Sequence, residues 1–127
     1  MSRLQFALIV ACGGALGAVL RWWLSEWLIQ GFGRPAFMAT LAVNVLGSLA
    51  LGFLMGLIDQ QLVSTALRGL LAVGLLGAFT TYSTYSIDAL RLLEAGAPLA
   101  ALAYVAGTAV ICIFAAWSGL LAARFLL

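Results

Sequence analysis

The chain has 127 residues, 65% of them hydrophobic and 8% charged, with a mean hydropathy of +1.18. So little polar surface excludes a water-soluble domain and points to an integral membrane protein, organised as one domain over residues 1–127. A net charge of +2, six arginines and no histidine argue against nucleic-acid binding, a transition-metal site and an enzymatic nucleophile–base pair.

Four uncharged runs follow one another: Leu4–Leu20, Pro35–Ile58, Gly69–Ile87 and Ala95–Ala123. A spanning helix needs roughly 20 apolar residues, so an all-α protein with four transmembrane helices is expected. The opening Met-Ser-Arg resembles the start of a signal peptide. Leu4–Leu20 is too long for a typical signal core, and a retained first span is expected instead. That span should run past Arg21 to about Leu28, with Trp22, Trp23 and Trp27 as an interfacial aromatic belt. Gly31–Arg34, Asp59–Ser64 and Glu94–Ala97 read as linkers, and Pro35 and Pro98 suit helix starts. Cys12 and Cys112 fall within apolar runs and read as small buried hydrophobes.

With four spans, Arg3, Arg68 and Arg124 lie on one side of the membrane and Arg21, Arg34 and Arg91 on the other. Three against three gives the positive-inside rule nothing to act on. Both orientations should insert, and a dual-topology antiparallel homodimer follows as the expectation; the alternative is that one arginine lies too deep to count and a fixed topology results. Gly13 with Gly17, and Gly52 with Gly56, mark faces for close helix packing. Asn44, Ser48, Gly52 and Gly56 form one stripe of the second span, and Tyr104, Thr108 and Cys112 form another on the fourth. Asn44 reads either as interhelical glue or as part of a pathway. Arg21 reads either as snorkelling or as a cation in a water-filled vestibule.

The third run ends in seven consecutive hydroxyl side chains, Thr80 to Ser86. Such side chains compete with the backbone for hydrogen bonds and should break the helix within the membrane. A break exposes carbonyls on one side and amides on the other. No Asp, Glu or Lys falls in the middle of any run; Asp88 follows the hydroxyl stretch. Neutral donors fit passive permeation of a small polar solute, most simply an anion. Tyr82 and Tyr85 should share a face and offer ring edges and hydroxyls to it.

Three motifs then carry a resemblance over the whole chain: G-G-x-x-G-A-x-x-R at Gly13–Arg21, T-L-x-V-N-x-x-G at Thr40–Gly47, and G-x-x-T-T-Y-S-T-Y-S at Gly77–Ser86. Together they resemble the Fluc (CrcB-type) fluoride channels. The resemblance implies passive fluoride export across the bacterial inner membrane, through two pores of an antiparallel homodimer. It implies a structural sodium ion at the dimer centre, on the backbone carbonyls of Gly77 and Thr80. Asn44, Tyr82, Ser83, Thr84, Tyr85, Tyr104, Thr108 and Cys112 match pore positions, and Arg21 matches the vestibule arginine. The family's paired phenylalanines are here Tyr82 and Tyr85, whose hydroxyls could bind fluoride or narrow the path. Its more frequent serines are here Thr108 and Cys112, and Ala39 replaces a glycine. Two rivals remain: a small dual-topology multidrug exporter, which needs a first-span carboxylate that Leu4–Leu20 lacks, and a non-transporting partner subunit.

Overall fold

A computed structural model describes residues 1–126, which contain helices and no strand. Four segments are long and apolar enough to cross a membrane: Arg3–Gly31, Ala36–Asp59, Thr65–Glu94 and Pro98–Leu126. The runs read from the sequence are the cores of these helices. The first runs on past Leu20 to Gly31 and the third from Thr65 to Glu94, whereas the second and fourth begin just inside their runs, at Ala36 and Pro98.

Local signals set the boundaries. Ser2 accepts from the Gln5 amide, and Gln5 returns the bond to the Ser2 amide, so the first span starts in a capping box. Pro35 caps the second span, and Pro98 is the first residue of the fourth. Gly33 and Gly96 take positive φ in the linkers, a conformation that favours glycine. Trp22, Trp23 and Trp27 are all exposed near the end of the first span.

The third span is two helices in line. Its first half covers residues 65–79, with Arg68–Leu76 wound in the wider π manner. Thr80 and Thr81 are extended (ψ 156° and 120°), and Tyr82–Glu94 resumes the helix. The break is therefore narrower than the hydroxyl run. Only its first two residues leave the helix, and Tyr82 to Ser86 are helical.

The helices pack chiefly as two pairs, first against third and second against fourth. Small residues make this possible. A Cβ on Gly13 or Gly17 would sit 2.1 Å from the Leu70 carbonyl oxygen or 2.0 Å from that of Leu75. On the other pair, a Cβ on Gly52 would meet the Ala116 oxygen at 2.0 Å, and one on Gly119 the Leu49 oxygen at 2.1 Å. These backbones touch directly, as helices in lipid do where small residues face one another. The buried side chains are mostly modest in size (Ala39, Val43, Leu54, Ala101, Ala123), whereas many large apolar ones point outward. Cys12 is exposed and Cys112 half-exposed, so neither is the buried hydrophobe expected from its apolar neighbours. Both lie on outward or cleft-lining turns of their helices.

Candidate functional site

The break is held by the second span. The Asn44 side chain donates from Nδ2 to the Thr81 carbonyl at 3.0 Å and accepts from the Thr81 amide at 2.8 Å. A carboxamide gives through its NH2 and takes through its oxygen side by side, so it replaces both bonds of an extended residue. Thr81 Oγ1 caps the second half-helix by accepting from the Thr84 amide at 3.2 Å. Thr80 Oγ1 turns back to the Leu76 carbonyl at 3.0 Å. Because the Thr81 amide goes to Asn44, the Gly77 carbonyl is left without its usual helical donor.

Beside the break lies an open cleft of about 300 Å³, between the second span, the broken third span and the fourth. Asn44, Thr80, Tyr82, Tyr85, Thr108 and Cys112 line it, with Ser48 and Thr81. Among the described residues no charged side chain does. Thr108 is 5% exposed and its Oγ1 has no hydrogen-bond partner among the described residues. The buried Tyr104 hydroxyl, one turn earlier on the same face, is likewise unpartnered among the described residues.

The aromatic residues form a ladder. Tyr82 and Tyr85 have ring centroids 5.4 Å apart, as do Tyr85 and Tyr104; Tyr104 meets Phe37 edge-on at 5.5 Å. The two replacement tyrosines differ. The Tyr85 hydroxyl donates to the Val105 carbonyl at 2.9 Å, bridging the third and fourth spans. Tyr82 is 80% exposed, and no hydrogen bond of its hydroxyl is found among the described residues.

A second recess sits on the other flank of Thr81, lined by Arg21, Ser25, Thr40 and Thr84 among others. Arg21 thus faces polar side chains. Ser83 belongs to neither recess; its Oγ lies 3.3 Å from Thr81 Oγ1. Most of the predicted residues divide between a pore-like cleft and a vestibule-like recess that share Thr81, whereas Tyr104, Ser83 and Gly77 line neither.

Sequence reading did not single out Asp88 or Thr40. Asp88 is 4% exposed, and its Oδ2 accepts from Thr40 Oγ1 at 2.6 Å. Tyr104 faces this pair. The signal was present in the spacing: Thr40 is one turn before Asn44, and Asp88 one turn after Tyr85, so both share a face with residues already marked.

Helical spans, a break stitched by a carboxamide and an uncharged polar cleft define a polytopic membrane protein with a polar cleft beside a broken span. The family model described as CrcB-like protein, Camphor Resistance (CrcB), matches residues 8–120, and this chain belongs to that family. Among its relatives, a protein of Stutzerimonas stutzeri is 46% identical over 125 residues, covering 98% of this chain and 99% of the relative. One of Pseudoalteromonas translucida is 43% identical over 113 residues (88% and 94%), and one of Rhizobium etli 42% identical over 122 (94% and 97%). Each of the three is named fluoride-specific ion channel FluC. The chain is a multi-pass bacterial membrane protein.

Proposed function

We propose that this protein is a passive, fluoride-selective channel, assembled from two oppositely inserted copies with one ion path along each polar cleft. The observation that carries the reading is the uncharged polar cleft beside the break, lined among others by Thr108, whose buried hydroxyl has no partner among the described residues. A buried hydroxyl with no protein partner costs about 1–3 kcal/mol unless something else bonds to it. Water or a small anion supplies that bond. The lining donors are neutral, so they replace hydration without holding the ion tightly. Asn44 and the Thr81 cap fix the path's geometry, Tyr82 and Tyr85 present ring edges to it, and Arg21 with Thr84 and Ser83 draws anions to its mouth.

The central sodium ion belongs to the same reading. A hard cation takes oxygen ligands, and the Gly77 carbonyl lacks its usual helical donor while Thr80 sits in extended backbone. Gly77 is exposed, and a Cβ there would make only ordinary contact with the Ala72 carbonyl oxygen, at 3.7 Å. These two carbonyls fit a sodium ion shared with the second copy, which would cover the break and tie the two protomers together.

Efflux from liposomes tests the reading. Purified protein in sodium-containing vesicles should release fluoride under a potassium diffusion potential, with little chloride following. Vesicles that retain fluoride would end it. Asp88 is the one observation favouring a rival: a buried carboxylate in a span is the mark of proton-coupled export. With equal fluoride on both sides and the membrane potential clamped at zero, an imposed proton gradient would drive fluoride uphill through a coupled exporter; through a channel it would not.

A further inference from the structure

Arg21 stands half-buried on the first span with no protein group to answer its charge. Among the described residues the one ion pair joins Arg124 and Asp59, and no hydrogen bond of the Arg21 guanidinium is found. Two acids that could have served are engaged elsewhere: Glu26 is held by Gln30 and Asp88 by Thr40, and neither lines the recess beside Arg21. Five donors without a counter-charge call for an anionic occupant. That recess holds about 300 Å³, the scale of a small-molecule site and far more than one fluoride ion fills. Ala18, Arg21 and Ser25 reach it from one face of the first span, Thr40 and Val43 from the second, and Thr81 and Thr84 from the third. Thr84 Oγ1 accepts from Thr81 Oγ1 at 3.1 Å, and its own proton, like that of Ser25, goes to no described acceptor. Ala18, Val43 and Trp22 make the apolar part of the wall.

We infer that this recess is a binding site for a small aromatic carboxylate, and that its occupation slows fluoride passage. One guanidinium matches one negative charge, and its planar fork matches the two oxygens of a carboxylate. The Ser25 and Thr84 hydroxyls give the remaining lone pairs of those oxygens further donors. The hydrocarbon part of the ligand lies against Ala18, Val43 and the Trp22 ring, which a halide or a bare oxyanion leaves uncovered. The slowing rests on the reading of Arg21 as the cation that draws fluoride to the mouth of the path; the binding does not. A carboxylate on Arg21 neutralises that cation. It also stands beside Thr81, which the recess shares with the cleft.

Two measurements on the full-length protein test the inference. The first is ligand-observed fluorine NMR of 4-fluorobenzoate in detergent, which needs no transport. Wild type should broaden the signal, and excess benzoate should restore it. Arg21→Gln should abolish the broadening, and Arg21→Lys, which keeps the charge without the fork, should bind at least about tenfold more weakly. Ala18→Leu keeps the guanidinium but fills the apolar wall, and it too should lose the signal change. The second measurement is fluoride efflux from liposomes, each variant compared with its own untreated rate. Benzoate should slow wild type, benzyl alcohol should not, and Ala18→Leu should be insensitive to both. No broadening by wild type, equal broadening by Arg21→Gln, Arg21→Lys or Ala18→Leu, or undiminished efflux at saturating benzoate would each overturn the inference. Untreated wild type that passes no fluoride defeats the channel reading instead, and the NMR arm still reports whether the recess takes a carboxylate.

Discussion

Tyr85 and Tyr82 occupy equivalent places in a repeated Tyr-Ser, yet the surroundings give their hydroxyls different work. The Tyr85 hydroxyl is committed to the Val105 carbonyl, so it acts as a strut between two spans and has no proton to offer an ion. Tyr85→Phe should therefore keep fluoride efflux near the wild-type rate while lowering stability by about 1 kcal/mol, the usual net worth of one hydrogen bond. Efflux and thermal unfolding in detergent read the two effects separately, and abolished efflux would make that hydroxyl an ion ligand. Asn44 stands at the other extreme. Asn44→Ala removes both partners of Thr81, leaving an amide and a carbonyl unpaired at about 1–3 kcal/mol each. Asn44→Asp restores the acceptor but places a carboxylate oxygen against the Thr81 carbonyl. Both variants should lose fluoride flux, and the aspartate should lose it although its shape is conserved. Flux retained by Asn44→Asp would remove Asn44 from the machinery of the break.

At the level of the helices, direct backbone contact sets which glycines matter. Gly13 and Gly14 are neighbours on the first span. A Cβ on Gly13 would overlap the Leu70 carbonyl, whereas one on Gly14 has nothing nearer than 3.9 Å. Gly13→Ala should cost about 1–3 kcal/mol by overpacking, and Gly14→Ala should be tolerated, as unfolding temperatures in detergent would reveal. Glycine spacing made the packed faces legible, just as hydropathy made the spans legible and Pro35 and Pro98 their starts. The hydroxyl run announced the break but not its width. Tyr82 to Ser86 stay helical because a single cap, Thr81, satisfies the new helix start. In the sequence Asp88 is marked only as following the hydroxyl stretch. Its burial depends on Thr40, 48 residues away, and no local pattern carries that distance. Pairing of Asn44 with Thr81, 37 residues apart, was hidden in the same way.

For the assembled molecule, orientation is the quantity that sequence charge controls and the fold of one chain does not. Arg21 lies about ten residues before the end of its helix, roughly 15 Å along the axis at 1.5 Å per residue. An arginine at that depth counts little in topogenesis, which leaves Arg3, Arg68 and Arg124 against Arg34 and Arg91, still close to balance. The proposed antiparallel dimer requires that balance, because each orientation must supply half of the protomers. Two added arginines in the linker at residues 60–64 should drive every copy to one orientation. Two in the linker at 95–97 should drive every copy to the other. Each variant alone should then fail to protect cells lacking their own exporter against fluoride, and the two expressed together should restore protection. Neither linker lines the cleft or the break, so loss in the single variants cannot be laid to the ion path itself. A variant confined to one orientation, as read by accessibility of tags at both ends, that nevertheless exports fluoride alone would require a parallel or monomeric channel. In that case the Gly77 and Thr80 carbonyls would have no inverted counterpart across a dimer centre, and the sodium site would fall with the antiparallel assembly.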